Sequence, residues 1–328
     1  MKHYNNRPLT IKMDKLFISC DWGTSSFRIH VIDALTASPL AEIRTQQGIA
    51  ATYSLWQQQQ NPEQFLFYRN YLETQVEKLE ENYGSSLDGM PIIISGMASS
   101  TIGMKELPYK QIPVDIRIQN LTIERTPATA KFHHEIILIS GVRSENDVMR
   151  GEETIIAGCA INTICKKQLL ILPGTHSKHV ITEEGILTGF KTYMTGELFE
   201  LITTKSILTN SVEKYKGAIE ESDAFEQGIK EAGSSSLLNN IFHARTNVIF
   251  NKLNKQDNYA YLSGLLIGEE LRYIMNESIE AVNIVSSGSL LKLYHTALRL
   301  LNATYPMHTI NADQALIKAQ ADLFNNLL

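Results

Sequence analysis

The sequence predicts an α/β protein of two similar units around a central cleft. Three observations carry this reading. Each half opens with three short apolar or alternating strands, and each continues into alternating helices and strands. In each half a hydroxyl-rich turn also leaves a buried strand: Asp21-Trp22-Gly23-Thr24-Ser25-Ser26 first, then Gly174-Thr175-His176-Ser177-Lys178 about 150 residues later.

The first strands are expected over 16–20, 27–33 and 40–45. The linker between the first two is short enough for a hairpin. Phe65, Tyr68, Leu72, Val76 and Leu79 recur at spacings of three and four, so a helix follows the start signal Asn61-Pro62. Residues 91–95 and 135–140 read as buried strands, with a Pro-containing loop over 107–127 between them. In the second half a helix is expected over 151–163, then strands over 168–172, 178–182 and 186–193. Helices over 197–205, 223–232, 236–250 and 259–275 come next. A strand over 281–286, a helix over 290–301, a strand over 307–310 and a helix over 313–327 close the chain. Three antiparallel strands followed by alternating helices and strands is the order of an RNase-H-like unit, and two in tandem make an actin-like fold.

The chain of 328 residues is 43% hydrophobic and 20% charged, ordinary soluble usage. A formal net charge of −5 gives no reason to expect nucleic acid as a ligand, and an anionic substrate would need local cations and backbone donors. Cys20, Cys159 and Cys165 are too few for a disulfide framework, which fits a reducing compartment. No run reaches the roughly 18 apolar residues of a membrane span, and the polar N-terminus lacks a signal-peptide core. A cytoplasmic protein is expected, with residues 1–14 a loose extension.

The turn at Asp21 offers backbone N–H groups and hydroxyls to phosphate oxygens, and its carboxylate can hold a Mg²⁺ shell. It reads equally as a polar hairpin. The turn at Gly174 repeats this chemistry, and together the two could grip a phosphate from both sides. His176 and His179 are spaced H-x-x-H, but on a strand they point to opposite faces, against a metal pair. Asp147, Glu152 and Glu153 stand near a helix start, where acids serve the dipole or accept a proton from an attacking hydroxyl. Ser286-Ser287-Gly288-Ser289 is a strand–turn–helix that could seat a nucleotide. Neither a P-loop nor a G-x-G-x-x-G fingerprint is present.

Six segments together resemble the 2-dehydro-3-deoxygalactonokinase family of the sugar-kinase/actin/Hsp70 superfamily. They begin at Asp21-Trp22-Gly23-Thr24-Ser25-Ser26-Phe27-Arg28, Ser95-Gly96-Met97-Ala98-Ser99-Ser100, Val148-Met149-Arg150-Gly151-Glu152-Glu153-Thr154, Leu172-Pro173-Gly174-Thr175-His176-Ser177-Lys178, Met194-Thr195-Gly196-Glu197-Leu198 and Leu262-Ser263-Gly264. The resemblance spans residues 15–325. It implies transfer of the γ-phosphoryl of ATP, with Mg²⁺, to the 6-hydroxyl of 2-dehydro-3-deoxy-D-galactonate. By this resemblance Asp21, Gly23, Thr24 and Ser25 belong to a first phosphate motif, with Asp21 the metal anchor. Gly174, Thr175, His176, Ser177 and Lys178 form the second, and Gly288 and Ser289 belong to the adenosine motif. Glu152 falls where related kinases carry the catalytic base. Arg28, Gly96, Met97, Ser99, Arg150, Thr195 and Glu197 are expected on the substrate side.

Residues 15–148 would form the first domain and 149–328 the second. The Ser286–Ser289 turn departs from the Gly-Gly pair common in sugar kinases. The expected partner is a small sugar acid, with no nucleic acid and no membrane, and the class leaves room for a homo-oligomer. Two rival readings are a kinase for another substrate, such as 2-dehydro-3-deoxygluconate, and a non-catalytic actin-like binding protein. A DNA-binding sensor would carry a helix-turn-helix, for which the N-terminus has no room.

Overall fold

A computed structural model describes residues 15–59, 63–161, 165–276 and 278–327. The extension expected over 1–14, the Asn61-Pro62 signal and the last residues of the helix expected over 151–163 lie outside the described residues. The first half contains β1 (Leu16–Trp22), β2 (Phe27–Asp33), β3 (Ser38–Thr45), α1 (Ile49–Gln57), α2 (Gln64–Tyr83) and β4 (Ile92–Gly96). Then come β5 (Lys110–Gln111), β6 (Val114–Asp115), β7 (Ile123–Thr126), β8 (Ile136–Ile139), β9 (Val142–Arg143) and β10 (Val148–Met149). The second half contains α3 (Glu152–Ala157), β11 (Gln168–Leu172), β12 (Ser177–Glu183), β13 (Ile186–Tyr193) and α4 (Thr195–Lys205). It continues with α5 (Asp223–Glu231), α6 (Leu237–Ile249), α7 (Lys255–Leu271), β14 (Ala281–Val285), α8 (Ser289–Leu300), β15 (Met307–Ile310) and α9 (Ala312–Leu327).

Five strands of each large sheet follow the same order, and the sixth joins opposite edges, β7 beside β8 and β6 beside β13. The first runs β3-β2-β1-β4-β8-β7 and the second β15-β14-β11-β12-β13-β6. In each, three antiparallel strands lead and two parallel strands add beside the first. That is the RNase-H-like order twice, the actin-like fold the sequence predicts. The central strands are apolar on both faces because both faces are covered. Besides the short strands β9 and β10, which join β5 in a third sheet, four features differ from the expectation. The loop over 107–127 contains β5, β6 and β7, two-to-four-residue edge strands too short to show a period. β6 crosses to pair with β13 of the second sheet. Helix α1 is an addition, and α3 ends at Ala157 rather than 163.

Strand alternation sorts the core into layers. Ile18, Cys20 and Trp22 of β1 pack under α2 with Tyr68, Leu72 and Leu79, the buried stripe of that helix. Phe17, on the other face of β1, enters a central layer shared by both halves, where it stacks on Phe324 of α9 with ring centroids 5.2 Å apart. Leu170, Leu172 and Val180 of the second sheet enter that same layer. Leu169 and Ile171 face outward onto α5, α7 and α8. Each fully buried large side chain contributes roughly 1.5–3 kcal/mol. By parity, Asp21 and Lys178 emerge on the faces turned toward the central layer.

Candidate active site

The first turn leaves β1 at Asp21 and closes with Gly23 N–H donating to the Ser26 carbonyl at 2.9 Å. The carbonyls of Gly23 and Thr24 accept the first N–H groups of α1, from Ile49 and Ala50. With its carbonyls occupied, the turn presents exposed Thr24 and Ser25, whose N–H groups meet no acceptor among the described residues. The second turn is built alike. The Thr175 carbonyl accepts Glu197 N–H from the first turn of α4 at 3.0 Å, and Thr175 and His176 are exposed. In both turns a helix start takes the acceptors and leaves donors outward, as an anion site requires.

Not every residue expected at the second turn faces outward. Ser177 is fully buried and its hydroxyl meets Tyr294 at 2.9 Å. His176 pairs with Glu197 at 2.5 Å, so both stand at this turn. His179 points the opposite way, into the protein, as alternation requires. Lys178 is buried and reaches Glu152, Nζ to Oε1, at 3.2 Å.

Glu152 is brought there by two glycines. Gly96 ends β4 with φ +92° and Gly151 precedes α3 with φ +110°, a region L side chains rarely adopt. A Cβ on Gly151 would lie 3.1 Å from the Gly96 Cα, and one on Gly96 would lie 2.6 Å from the Trp22 carbonyl oxygen. So the backbone of the Glu152 segment rests on the Gly96 loop, which rests on the strand end bearing Asp21. Glu152 Oε2 accepts Arg150 N–H at 3.0 Å. Glu153 instead turns inward, accepting Gly151 N–H at 2.7 Å and the Thr154 hydroxyl at 3.0 Å. Burial, and then the Glu152 charge, push Glu153 up to about 8.

Arg150 is nearly buried. Its guanidinium donates to the carbonyl and hydroxyl of Ser99 and to the Leu107 carbonyl, and covers the Tyr109 ring at 4.1 Å. It ties the Glu152 segment to the Gly96–Met97–Ser99 loop, with no carboxylate partner among the described residues. Asp147 accepts from the N–H and hydroxyl of Thr192, both at 2.7 Å, so it holds the end of β13. Arg28 donates to Asp21 Oδ2 at 2.5 Å and to Asp313 Oδ1 at 2.5 Å, bridging β1 to α9. Partial burial works against its charge, but the two carboxylates outweigh that and raise its pKa. Asp313 is a contact that sequence reasoning missed. Thr195 donates to Glu270. Gly288 (φ +72°) and Ser289 are exposed at the start of α8.

The donor set fits a magnesium ion that keeps most of its waters. Both Arg28 bonds fall on Asp21 Oδ2, leaving Oδ1 for a ligand shell. No group of three or more His, Cys, Asp or Glu able to hold a metal occurs among the described residues. A depression along α2 is lined by Glu73, Glu77, Glu80, Glu81 and Asp88 on one side and by Lys131, His133 and His134 on the other, and it lies apart from both turns.

Two RNase-H-like sheets in tandem, each with a hydroxyl-bearing turn leaving its first strand, define a protein of the actin-like class. The family model described as 2-keto-3-deoxy-galactonokinase matches residues 21–322, and the chain belongs to that family. A Rhizobium meliloti protein named "Probable 2-dehydro-3-deoxygalactonokinase" is 31% identical over 307 residues, covering 91% of this chain and 93% of its own. The Escherichia coli 2-dehydro-3-deoxygalactonokinase is 28% identical over 222 residues, covering 64% of this chain and 71% of its own. A crystal structure from Sinorhizobium meliloti, provisionally described as a 2-dehydro-3-deoxygalactonokinase, superposes with TM-score 0.80 at 28% identity. It covers 95% of this chain and 96% of that one. No described helix is long and apolar enough to cross a membrane.

Proposed function

We propose that the protein transfers the γ-phosphoryl of ATP to the 6-hydroxyl of 2-dehydro-3-deoxy-D-galactonate, in galactonate catabolism. The observation that carries this is Glu152, partly exposed beside Lys178 and seated over the Asp21 strand end through Gly151 and Gly96. Glu152 orients the primary hydroxyl and takes its proton as the new O–P bond forms and the bond to the ADP oxygen breaks. Lys178 and the N–H groups of Thr24, Ser25, Thr175 and His176 spread the charge of the transferring group. Mg²⁺ at Asp21 would neutralise phosphate charge when bound. Gly288 and Ser289 are assigned to the nucleoside. Arg150, held against Ser99 and lacking an acid partner among the described residues, is assigned to the substrate carboxylate. The two lobes are read as 15–148 and 149–328, closing on the substrate to exclude water. The buried Cys20 and Cys159, outside any disulfide, agree with a reducing cytoplasm.

The test is ADP release by the purified protein with a panel of 2-keto-3-deoxy acids, followed by phosphorus NMR of the product. Release that depends on the galactonate-derived acid, with the phosphate at C6, supports the proposal. A stronger response to 2-dehydro-3-deoxygluconate would reassign the substrate, and no acid-dependent release would favour a binding protein.

A further inference from the structure

Behind the second turn lies a buried polar chain that the proposed transfer does not use directly. Glu270, on α7, has a side chain only 1% exposed. Three elements converge on it. His179 of β12 meets Oε1 at 2.8 Å, Tyr294 of α8 meets Oε2 at 2.7 Å, and Thr195 at the start of α4 also meets Oε2. Tyr294 and Thr195 donate their hydroxyl protons to Oε2. Burial, reinforced by the Glu270 charge, pushes the Tyr294 hydroxyl well up, which keeps its proton in place. That single proton goes to Glu270. Ser177 must then donate its own proton to Tyr294, across 2.9 Å, and its lone pairs face Gly174 N–H at 3.4 Å.

The bonds therefore run in one direction: Gly174 N–H to Ser177, Ser177 to Tyr294, Tyr294 to Glu270. We propose that Glu270 and Tyr294 are positioning residues for nucleotide binding, holding the second phosphate turn and the starts of α4 and α8 in one geometry. Polarised inward, Ser177 is a strut rather than a phosphate ligand, and the outward donors at this turn are those of Thr175 and His176. The chain also couples the phosphate turn to α8, which begins at Ser289 directly after Gly288. A buried acceptor suits the task, since a hydroxyl chain ending in water could reverse and swing the turn.

This inference rests on the nucleotide reading of the site, but its test does not depend on which acid is phosphorylated. MgADP affinity, the KM for ATP and the KM for the sugar acid are measured for Tyr294→Phe, Ser177→Ala and the double variant. Each single change should weaken MgADP binding roughly tenfold and raise the ATP KM in step, with the sugar-acid KM unchanged. Because both lie on one chain, the double variant should lose no more than the worse single. Unchanged MgADP affinity with a lower melting temperature would overturn the proposal, as would losses that multiply. If Tyr294→Phe does not fold, Ser177→Ala, which removes one hydroxyl, decides alone. Wild-type protein that binds MgADP but phosphorylates no acid would refute the function while leaving this inference standing.

Discussion

Lys178 Nζ lies 3.2 Å from Glu152 Oε1, joining a strand of the second sheet to the first turn of α3. The pair is nearly closed to solvent on the lysine side, with Lys178 6% exposed and Glu152 25%. A cation so placed holds the carboxylate toward the cleft and stands ready for a phosphoryl oxygen. Lys178→Met should lower kcat on the order of a hundredfold or more, the usual scale for losing one preorganised donor. Steady-state kinetics check this. A kcat within a few-fold of wild type would make Lys178 a structural ion pair only.

Glu153 supplies a pH prediction whose sign follows from burial. Its folded value of about 8 lies above that of an unfolded glutamate, about 4.3. Between these values the folded chain keeps a proton that the unfolded chain releases. Its stabilising share is full below about pH 4.3 and is lost as pH rises toward 8. Glu153→Gln mimics the neutral acid, so it should keep activity near pH 7 and flatten the fall in stability over that window. Urea unfolding at pH 6, 7 and 8 measures it. Equal slopes for both proteins would show that Glu153 ionises normally.

Gly151→Ala places a Cβ at φ +110° and 3.1 Å from Gly96. Strain of this kind costs about 1–3 kcal/mol. Relief by shifting α3 would displace Glu152, so the variant should lose both melting temperature and kcat. Normal kcat in a destabilised variant would separate the glycine contact from the chemistry.

Much of this site was legible in the sequence, and strand parity marks where legibility ended. The two turns stand out because Gly-Thr-x-Ser chemistry recurs after a buried strand in each half, whereas Glu152 is separated from Glu153 and Asp147 only by the family resemblance. Ser177 and Lys178 are neighbours in one motif, yet β12 sends them to opposite faces, Ser177 to Tyr294 and Lys178 to Glu152. Alternation from Val180 could have told them apart. Glu270 carried no such signal: α7 is buried on every side from Ala260 to Gly268, so the residues three and four before Glu269 are as buried as those before Glu270. Asp313 and Arg28 meet across 285 residues, a relation that no local pattern encodes. Edge strands β5 to β7 owe their pairing to strands elsewhere in the chain rather than to their own composition.

Asp21→Asn keeps an oxygen for Arg28, which also retains Asp313, so the fold should persist. The carboxylate charge is lost where the metal shell would form, and kcat should fall by orders of magnitude. Circular dichroism with steady-state rates across a Mg²⁺ titration checks both halves. Near-normal turnover would remove Asp21 from the site.

The central claim is that Glu152 is the proton acceptor in phosphoryl transfer, and Glu152→Gln tests it most directly. The amide still accepts Arg150 N–H but cannot take a proton, and no phosphate donor is removed. The decisive measurement pairs sugar-acid-dependent ADP release with MgADP affinity on this one variant. The account predicts a rate lower by about 10²–10⁴ with affinity within a few-fold of wild type. A variant that turns over at near wild-type rate, or one that loses nucleotide binding along with catalysis, would contradict it.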